Sequence, residues 1–543
     1  MKRSKLFPIA VFALALLSFV LTACANEVSI PDNLIEVVNG ATTRGGFTIS
    51  RPDLGEHGRA FGAFYGDIGE LGYIEEEFFI EGTAQRYEPV GKLGKDGKWT
   101  LQAISTSPYK TRFIVRRPIN AADFNGTVVI EWTNVSGGFE MSIMDSPGIY
   151  KEGFAYVTAS LQMNGLYGFE ENPMGLTVWD NERYGDLNIS DDGLSYDIYT
   201  QIARSVGKDR NITGIDPMGG LEVKKIFAAG ASQSGSRVLS YANGVQPIEK
   251  VFDAIVPVVN SGRGTDFGSE ISHIKEGGKT KVRNVSTRIR EDINCKAFII
   301  NTQTESNTLG NLAQPDTDNI VSWQIAGAAH LPPQRMLTVA LQCKRDGVAD
   351  FDDLGTKNLE PVDWTLTCEA ALVRIIEWID SGKQPLKMEP MSSINMIFGY
   401  WLDNKGNVKG GVRLPEISVP IATYDISLLS GSLYGNVYAF SQQQILELYP
   451  IHQAYINQVT TAASAAVEQG IILPYAADEY IEKANANWVA TLWTDAPAIE
   501  LVGSGNSFNM ILFIFIAICV VIVALITLIV FLTVRKIRKK RND

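Results

Sequence analysis

The chain has 543 residues, of which 45% are hydrophobic, so it can build a large core and has room for more than one domain. Its net charge is −12, and because residues 1–24 contribute +3 and residues 535–543 contribute +5, the rest of the chain carries −20. So acidic a surface excludes nucleic acids and anionic polymers as partners, and it favours neutral or cationic substrates.

Residues 1–24 predict an export signal. Basic residues precede the apolar run 7–21, which is too short to cross a bilayer and is followed by small residues. The last four residues, Leu-Thr-Ala-Cys, resemble a bacterial lipobox, in which Cys24 becomes the lipidated first residue of the mature protein. Cleavage after Ala25 is the alternative, because Ala-Cys-Ala is also an acceptable cleavage sequence.

Residues 30–498 are predicted to form one α/β domain. Up to about residue 123 the sequence holds short β-like pieces with Gly-rich turns. Beyond it, apolar runs typical of buried parallel strands alternate with segments of helical periodicity, a pattern that predicts a doubly wound, mostly parallel sheet. The runs are 127–132, 154–159, 226–229, 252–259, 297–302 and 321–326.

Residues 162–194 interrupt this alternation. The segment is rich in Gly, Asn, Asp and aromatic residues, and it follows an apolar run directly. We predict that it forms a lid-like insertion over one edge of the sheet.

The most informative motif is residues 226–237, with the sequence IFAAGASQSGSR. Its β-branched and aromatic start predicts a buried strand, which turns after Gly230 into a helix. A serine on such a turn is typical of a nucleophile elbow, which exposes the hydroxyl on a strained backbone. Ser232 fits this register better than Ser234, because Gly230 stands two residues before Ser232. Ser234 occupies the place where the usual pattern has a second glycine.

An acid and a histidine follow the elbow, each just past a predicted strand. Glu305 follows the run 297–302, and His330 follows the run 321–326. A serine hydroxyl is a poor nucleophile until a neutral imidazole accepts its proton, and a carboxylate fixes the tautomer and stabilises the imidazolium. The pattern therefore predicts Ser232 as nucleophile, His330 as base and Glu305 as acid.

The acid has an alternative. Asp316 and Asp318 lie nearer to His330 in the sequence than Glu305 does, although Asp is also common in turns for local backbone reasons. Glu305 is preferred because it follows its strand directly, and Asp316 is kept as the alternative acid. The remaining histidines are predicted to have surface or packing roles: His57, His273 and His452.

Five cysteines do not make a disulfide framework. Cys343 and Cys368 flank an acidic loop and could pair in an oxidising compartment. Cys295 precedes a predicted strand and is expected to be buried. No Cys/His spacing indicates a metal site, and no cofactor is predicted.

Residues 510–534 form an uncharged run rich in Ile, Val, Leu and Phe, long enough to cross a bilayer. The basic residues of 535–543 follow at once, and the positive-inside rule places such a tail in the cytoplasm. The sequence thus predicts a C-terminal transmembrane helix, a location in the cell membrane, and a catalytic domain on the outside.

Seven blocks of the sequence carry a family resemblance: 126–138, 179–185, 195–199, 230–235, 314–318, 326–330 and 410–415. They are similar to the alpha/beta hydrolase domain family of large, mostly uncharacterised bacterial hydrolases, from about residue 35 to about residue 495. This resemblance implies an α/β-hydrolase fold with Ser232 as nucleophile and His330 as base. Residues 304–307 resemble the family's Thr-Glu-Thr-Asp, with Asn307 in place of the Asp, which leaves Glu305 as the only carboxylate of that block.

The same resemblance implies an oxyanion hole made of backbone N–H groups. In α/β-hydrolases one donor follows the nucleophile, and the other comes from the loop after an earlier strand. Here the first is the N–H of Gln233. The second is assigned to the loop 134–138, at the N–H groups of Asn134 and Val135.

Together these features predict a membrane-anchored serine hydrolase that cleaves an ester, a lactone or a related acyl bond in a small molecule. Two alternatives stay open. A non-catalytic binding ectodomain could have the same fold, because fold alone does not establish activity. An acyltransferase could use the same triad and differ only in letting an alcohol outcompete water.

Overall fold

The computed structural model describes residues 27–28, 46–210, 214–267, 274–276, 279–281, 284–309, 312–349, 359–395, 399–426 and 433–493. A nine-stranded sheet runs through the centre of the domain. Its strands are β1 (Phe47–Ser50), β2 (Tyr73–Pro89), β3 (Leu101–Pro118), β4 (Thr127–Trp132), β5 (Ala155–Ala159), β6 (Lys225–Ala231), β7 (Ala254–Val258), β8 (Lys296–Thr302) and β9 (Ile320–Ile325).

The strand order is β9-β8-β7-β6-β4-β5-β3-β2-β1. The six strands from β9 to β5 are parallel to one another, whereas β3, β2 and β1 join antiparallel at one side. After β5 the chain crosses to the other side of β4 to form β6. The carboxyl ends of β4 and β6 therefore lie side by side at the point where the strand order reverses, which is where open α/β sheets bind ligands.

The four central parallel strands are buried on both faces. All residues of β4, β5, β6 and β7 are buried, which explains their nearly continuous apolar sequences. Helices lie between most of the parallel strands along the chain, as in other α/β folds. These observations confirm the predicted α/β sheet.

The longer helices are Ser195–Val206, Gln233–Ser240, Gln303–Leu309, Pro333–Asp346, Thr365–Ser381, Gln442–Leu448, His452–Glu468 and Pro474–Asn485. The shorter ones are Pro147–Lys151, Met163–Tyr167, Leu176–Trp179, Asn181–Tyr184, Gln246–Glu249, Pro415–Ser418 and Asn487–Ala490, with a π-helical turn at Tyr241–Val245 and 3₁₀ turns at Ile68–Leu71, Ala121–Asp123, Asp192–Leu194 and Thr491–Trp493. Small strands outside the central sheet are Glu27–Val28, Arg263–Thr265, Ile274–Glu276, Lys279–Lys281, Asn284–Ser286, Ser393–Asn395, Gly399–Tyr400, Ala422–Asp425 and Asn436–Ala439.

The long antiparallel ribbon β2–β3 carries two buried arginines. Arg112 donates to Glu77 on β2 and to Glu140 beyond β4, each at 2.7 Å. Arg116 pairs in the same way with one carboxylate on β2 and one in the segment that follows β4, Glu75 and Asp145. Each guanidinium thus bridges the ribbon to the parallel part of the sheet, and each meets two carboxylates, as a buried arginine requires.

The structure corrects the prediction of a C-terminal transmembrane helix. The longest helices in the described ranges, Thr365–Ser381 and His452–Glu468, have 17 residues each, about 25 Å at 1.5 Å per residue, against a hydrocarbon core of about 30 Å. No described helix is long and apolar enough to cross a membrane. Anchoring in the cell membrane by such a helix, predicted as the membrane partner and the location, is therefore not supported. The predicted export signal with Cys24 and the predicted span 510–534 lie outside the described residues.

Candidate active site

Ser232 occupies the sharp turn between β6 and helix Gln233–Ser240, with φ 62° and ψ −117°. Positive φ is strained for any residue but glycine, and a strained serine between strand and helix is characteristic of a nucleophile elbow. The turn is tight, because a Cβ built on Gly230 would lie 2.9 Å from the carbonyl carbon and oxygen of Ser234. Glycine at position 230 is therefore what lets the strand and the helix approach this closely.

Ser234 differs from Ser232 in exposure and in its contacts. Its side chain is fully buried, whereas Ser232 is partly exposed. The Ser234 hydroxyl donates to the carbonyl of Ala231 at 2.9 Å and accepts from the Ala231 N–H at 3.1 Å. Ser234 therefore stabilises the turn through hydrogen bonds to its backbone, whereas the Ser232 side chain is presented at the edge of the sheet.

The structure brings Ser232, His330 and Glu305 into one hydrogen-bonded chain. His330 follows β9, and its Nε2 lies 2.9 Å from the Ser232 Oγ. Its Nδ1 lies 2.6 Å from the Glu305 Oε1. A carboxylate can only accept, so Nδ1 carries the proton and Nε2 is left as the acceptor that faces the serine hydroxyl.

The Glu305 carboxylate is buried and held at both oxygens. Its second oxygen, Oε2, accepts from the Thr302 N–H at 3.1 Å and from the Thr302 hydroxyl. Burial by itself raises the pKa of Glu305, but His330 and the hydrogen bonds from His330 and Thr302 outweigh it, and the pKa is lowered. Glu305 is therefore ionised at neutral pH. The sequence offered no signal for Thr302 beyond its place at the end of β8.

Asp316, the alternative acid, contacts the opposite end of the last strand. It precedes β9, and its Oδ1 accepts from the N–H of Ser322 at 2.8 Å. Burial raises the pKa of Asp316, and the hydrogen bond from Ser322 opposes that effect only in part. The contact caps the start of β9, whereas His330 lies beyond its end.

Two of the other histidines bind backbone carbonyls. His57 Nε2 lies 2.9 Å from the Trp179 carbonyl oxygen, and its ring stacks on the Trp179 ring. His452 Nε2 lies 2.7 Å from the Ala484 carbonyl oxygen. Both thus have packing roles, as predicted. His273 lies outside the described residues.

The predicted oxyanion donors differ in whether their backbone N–H groups have a partner. Within the described ranges the N–H groups of Gln233 and Val135 have no hydrogen-bond partner. The Asn134 N–H, in contrast, donates to the Met141 carbonyl at 3.0 Å. The prediction that Asn134 offers its backbone donor is therefore wrong, because the loop folds back on itself at this residue. Gln233 and Val135 are left as the candidate pair.

Asn134 contacts the elbow through its side chain instead. Its Nδ2 donates to the carbonyl of Ala231 at 3.0 Å, and its Oδ1 accepts from the Ser136 N–H at 2.9 Å. The loop that holds Val135 is thereby tied to the residue that precedes Ser232.

The cysteines are not paired. Cys343 and Cys368 are both buried free thiols, which corrects the predicted disulfide. Burial raises the pKa of Cys343 to about 12 and that of Cys368 well above its usual value. The two cysteines lie on successive helices, Pro333–Asp346 and Thr365–Ser381. Their positions in the sequence do not determine whether their side chains meet with the geometry that a disulfide needs. Within the described part of the chain, no group of three or more His, Cys, Asp or Glu side chains could hold a metal ion.

Residues 49–482 match the family described as alpha/beta hydrolase domain. The chain belongs to this family. The alpha/beta hydrolase domain thus covers β2 to β9 and the helices as far as Pro474–Asn485, slightly less than the predicted range. A search of curated proteins finds no match.

Three solved structures match about half of this alpha/beta hydrolase each. An α/β serine hydrolase without lid from Xanthomonas campestris is 10% identical, over 49% of this chain and 94% of that one, with a TM-score of 0.24. A putative dienelactone hydrolase from Klebsiella pneumoniae subsp. pneumoniae is 12% identical, over 50% and 83%, with a TM-score of 0.20. An arylesterase is 15% identical, over 48% and 85%, with a TM-score of 0.23. At these TM-scores none of the three bears on the substrate.

Proposed function

We propose that this alpha/beta hydrolase is a serine hydrolase that cleaves an ester, a lactone or a related acyl bond in a small, uncharged or cationic molecule. The observation that carries the proposal is the continuous hydrogen-bonded chain from the Ser232 Oγ through the His330 ring to Glu305. The strained backbone of Ser232 supports it, because such strain is found where a side chain must be presented for reaction.

In the first half of the reaction the Ser232 Oγ attacks the substrate carbonyl carbon and gives its proton to His330 Nε2. The imidazolium that forms is stabilised by the Glu305 carboxylate. The negative charge on the former carbonyl oxygen is stabilised by the N–H groups of Gln233 and Val135. His330 then gives its proton to the departing alcohol oxygen, and an acyl ester remains on Ser232.

In the second half a water molecule replaces the alcohol. His330 Nε2 takes a proton from this water, whose oxygen attacks the acyl carbon, and the proton returns to the Ser232 Oγ as the acid leaves. The same two N–H donors stabilise the second tetrahedral intermediate. A lactone follows the same steps, except that its alcohol group stays attached to the acyl chain.

The proposal is tested with a panel of p-nitrophenyl esters of different acyl length and with a fluorophosphonate that labels activated serines. We expect hydrolysis of at least one ester and covalent labelling that peptide mapping places on Ser232. A folded protein that hydrolyses none of the esters and takes up no fluorophosphonate would contradict the proposed function.

The side chain of Asn134 offers a further prediction. Asn134→Ala leaves the Ser136 N–H without its partner and removes one donor from the Ala231 carbonyl, which keeps the Ser234 hydroxyl; an unpaired buried group costs about 1–3 kcal/mol. The loop that holds Val135 also loses its side-chain hydrogen bond to the elbow, so we expect kcat to fall about tenfold. This loss is smaller than the ~10²–10³-fold fall in kcat that follows complete removal of an oxyanion donor. Steady-state kinetics and thermal unfolding measure the two effects.

Asn243→Ala is the matched control. Asn243 is fully buried, and it likewise donates from Nδ2 to a backbone carbonyl, that of Arg288, and accepts at Oδ1 from a backbone N–H, that of Arg290. This variant should be destabilised to a similar extent and keep its kcat. An equal fall of kcat in both variants would show that Asn134 matters only for stability.

A further inference from the structure

The 162–194 segment is fixed to the elbow helix Gln233–Ser240 at both of its ends. At the first end, Gln162 accepts a hydrogen bond at Oε1 from the Gln233 Nε2, at 3.0 Å. Near the second end, Asp192 Oδ2 accepts from the Arg237 Nη2, at 3.0 Å. Gln233 and Arg237 are four residues apart and share one face of the helix, so the predicted lid-like segment contacts this face at two points.

The hydrogen bonds around Gln162 determine which way its amide faces. The Trp132 indole N–H, which can only donate, points at the Gln162 Oε1 at 2.9 Å. The opposite end, Nε2, donates to the Asp192 carboxylate, which can only accept. Because Gln162 is 3% exposed, this arrangement has little freedom to change. The Gln162 oxygen is therefore a fixed acceptor for the side chain of Gln233.

Gln233 depends on this one contact. Its Oε1 is buried and has no hydrogen-bond partner in the described ranges, so the Nε2 bond to Gln162 is the only hydrogen bond that holds the side chain. Leaving a polar atom unpaired is costly, and a native structure keeps such an atom only where something else is gained. The backbone N–H of the same residue is a candidate oxyanion donor.

We propose that Gln162 is a positioning residue, which holds the Gln233 N–H in the direction that the oxyanion needs. The inference rests on the proposed function. It identifies a contribution to transition-state stabilisation from a residue that does not touch the substrate. Preorganised donors act on charge that develops only in the transition state, so misplacing one lowers kcat and leaves KM nearly unchanged.

A double-mutant cycle tests this inference. Gln162→Met and Gln233→Met each remove the side-chain contact, and both variants still have a backbone N–H at position 233. Each should lower kcat about tenfold on the best p-nitrophenyl ester, with KM changed less than about twofold, since only a transition-state interaction is weakened. The double variant should be no slower than the slower single variant within about twofold, because both changes remove the same coupling.

Gln201→Met separates positioning from stability. Gln201 is also fully buried, and its amide accepts from the Tyr109 hydroxyl and donates to Asp197 and the Thr83 carbonyl, away from the elbow. This control should lower the melting temperature and keep kcat. Multiplicative effects of the two elbow substitutions, or an unchanged kcat in either of them, would overturn the inference.

Two further results keep the outcome unambiguous. Gln233 is partly exposed, so Gln233→Met tests the proposal by itself if Gln162→Met does not fold. Fluorophosphonate labelling of Ser232 in every variant shows that the nucleophile is intact. An unchanged kcat with normal labelling would therefore contradict only the role of Gln162. Absence of labelling and hydrolysis in the unmodified protein would defeat the proposed function, and the role of Gln162 with it.

Discussion

Replacing Ser232 by Ala should remove ester hydrolysis and fluorophosphonate labelling together. Loss of the nucleophile in a serine triad lowers kcat by a factor on the order of 10⁶. The fold should survive, because the Ser232 hydroxyl is partly exposed and alanine leaves no large cavity. Rates on the best p-nitrophenyl ester, gel detection of the label and thermal unfolding give the three readouts.

Ser234→Ala is the control that fixes the register of the elbow. The Ser234 hydroxyl hydrogen-bonds to both backbone groups of Ala231, so its loss should destabilise the turn, by about 1 kcal/mol for such a bond. Labelling should persist in this variant. Labelling that survives Ser232→Ala and disappears in Ser234→Ala would show that Ser234, and not Ser232, is the nucleophile.

The second large effect is expected for Glu305→Gln. Glutamine keeps the shape of the side chain but cannot stabilise the imidazolium, and its amide can present an N–H toward His330 Nδ1, which favours the wrong tautomer. In triads generally such a change lowers kcat by about 10⁴. Fluorophosphonate labelling should slow down as well, because the same proton transfer activates the hydroxyl. Steady-state kinetics at neutral pH measure the loss.

Asp316→Asn tests the rival acid under the same conditions. Asp316 accepts from the Ser322 N–H, and the asparagine oxygen can still do so, so activity should be kept. A severe loss in Asp316→Asn with a mild one in Glu305→Gln would reverse the assignment.

The lowered pKa of Glu305 also links this residue to acid stability. A carboxylate whose folded pKa lies below its unfolded value, about 4.3 for Glu, stabilises the fold fully above that value and less as the pH falls through the folded pKa. Glu305→Gln removes this contribution. Its unfolding free energy should therefore depend less on pH below about 4.3 than that of the unmodified protein.

The sequence was most informative where burial leaves little choice. The runs 127–132, 297–302 and 321–326 became β4, β8 and β9 within one residue, because these strands are largely buried and contain mostly apolar residues. The ribbon was predicted as shorter pieces. Polar residues at 102–107 do not indicate a strand by themselves, and only their pairing with β2 makes them one.

Within the candidate site, the sequence located groups that follow a strand and missed those defined by contacts across the fold. Ser232, Glu305 and His330 each follow a strand of the parallel sheet, so chain order was enough to propose them together. Asn134 contacts the elbow through its side chain and not through its backbone N–H, which pairs with Met141, and this pairing has no signal in the local sequence. Gln162 lies 71 residues from its partner Gln233, and no motif connects them.

The two buried arginines of the ribbon bear on how this domain comes apart. If β2 and β3 separated from the parallel strands, Arg112 would lose Glu140 and Arg116 would lose Asp145, so two buried ion pairs would break together. Separation on this side therefore breaks both ion pairs and exposes buried apolar side chains such as Phe113 and Val115. The antiparallel strands are thereby coupled to the parallel strands, and the domain should unfold in a single cooperative transition.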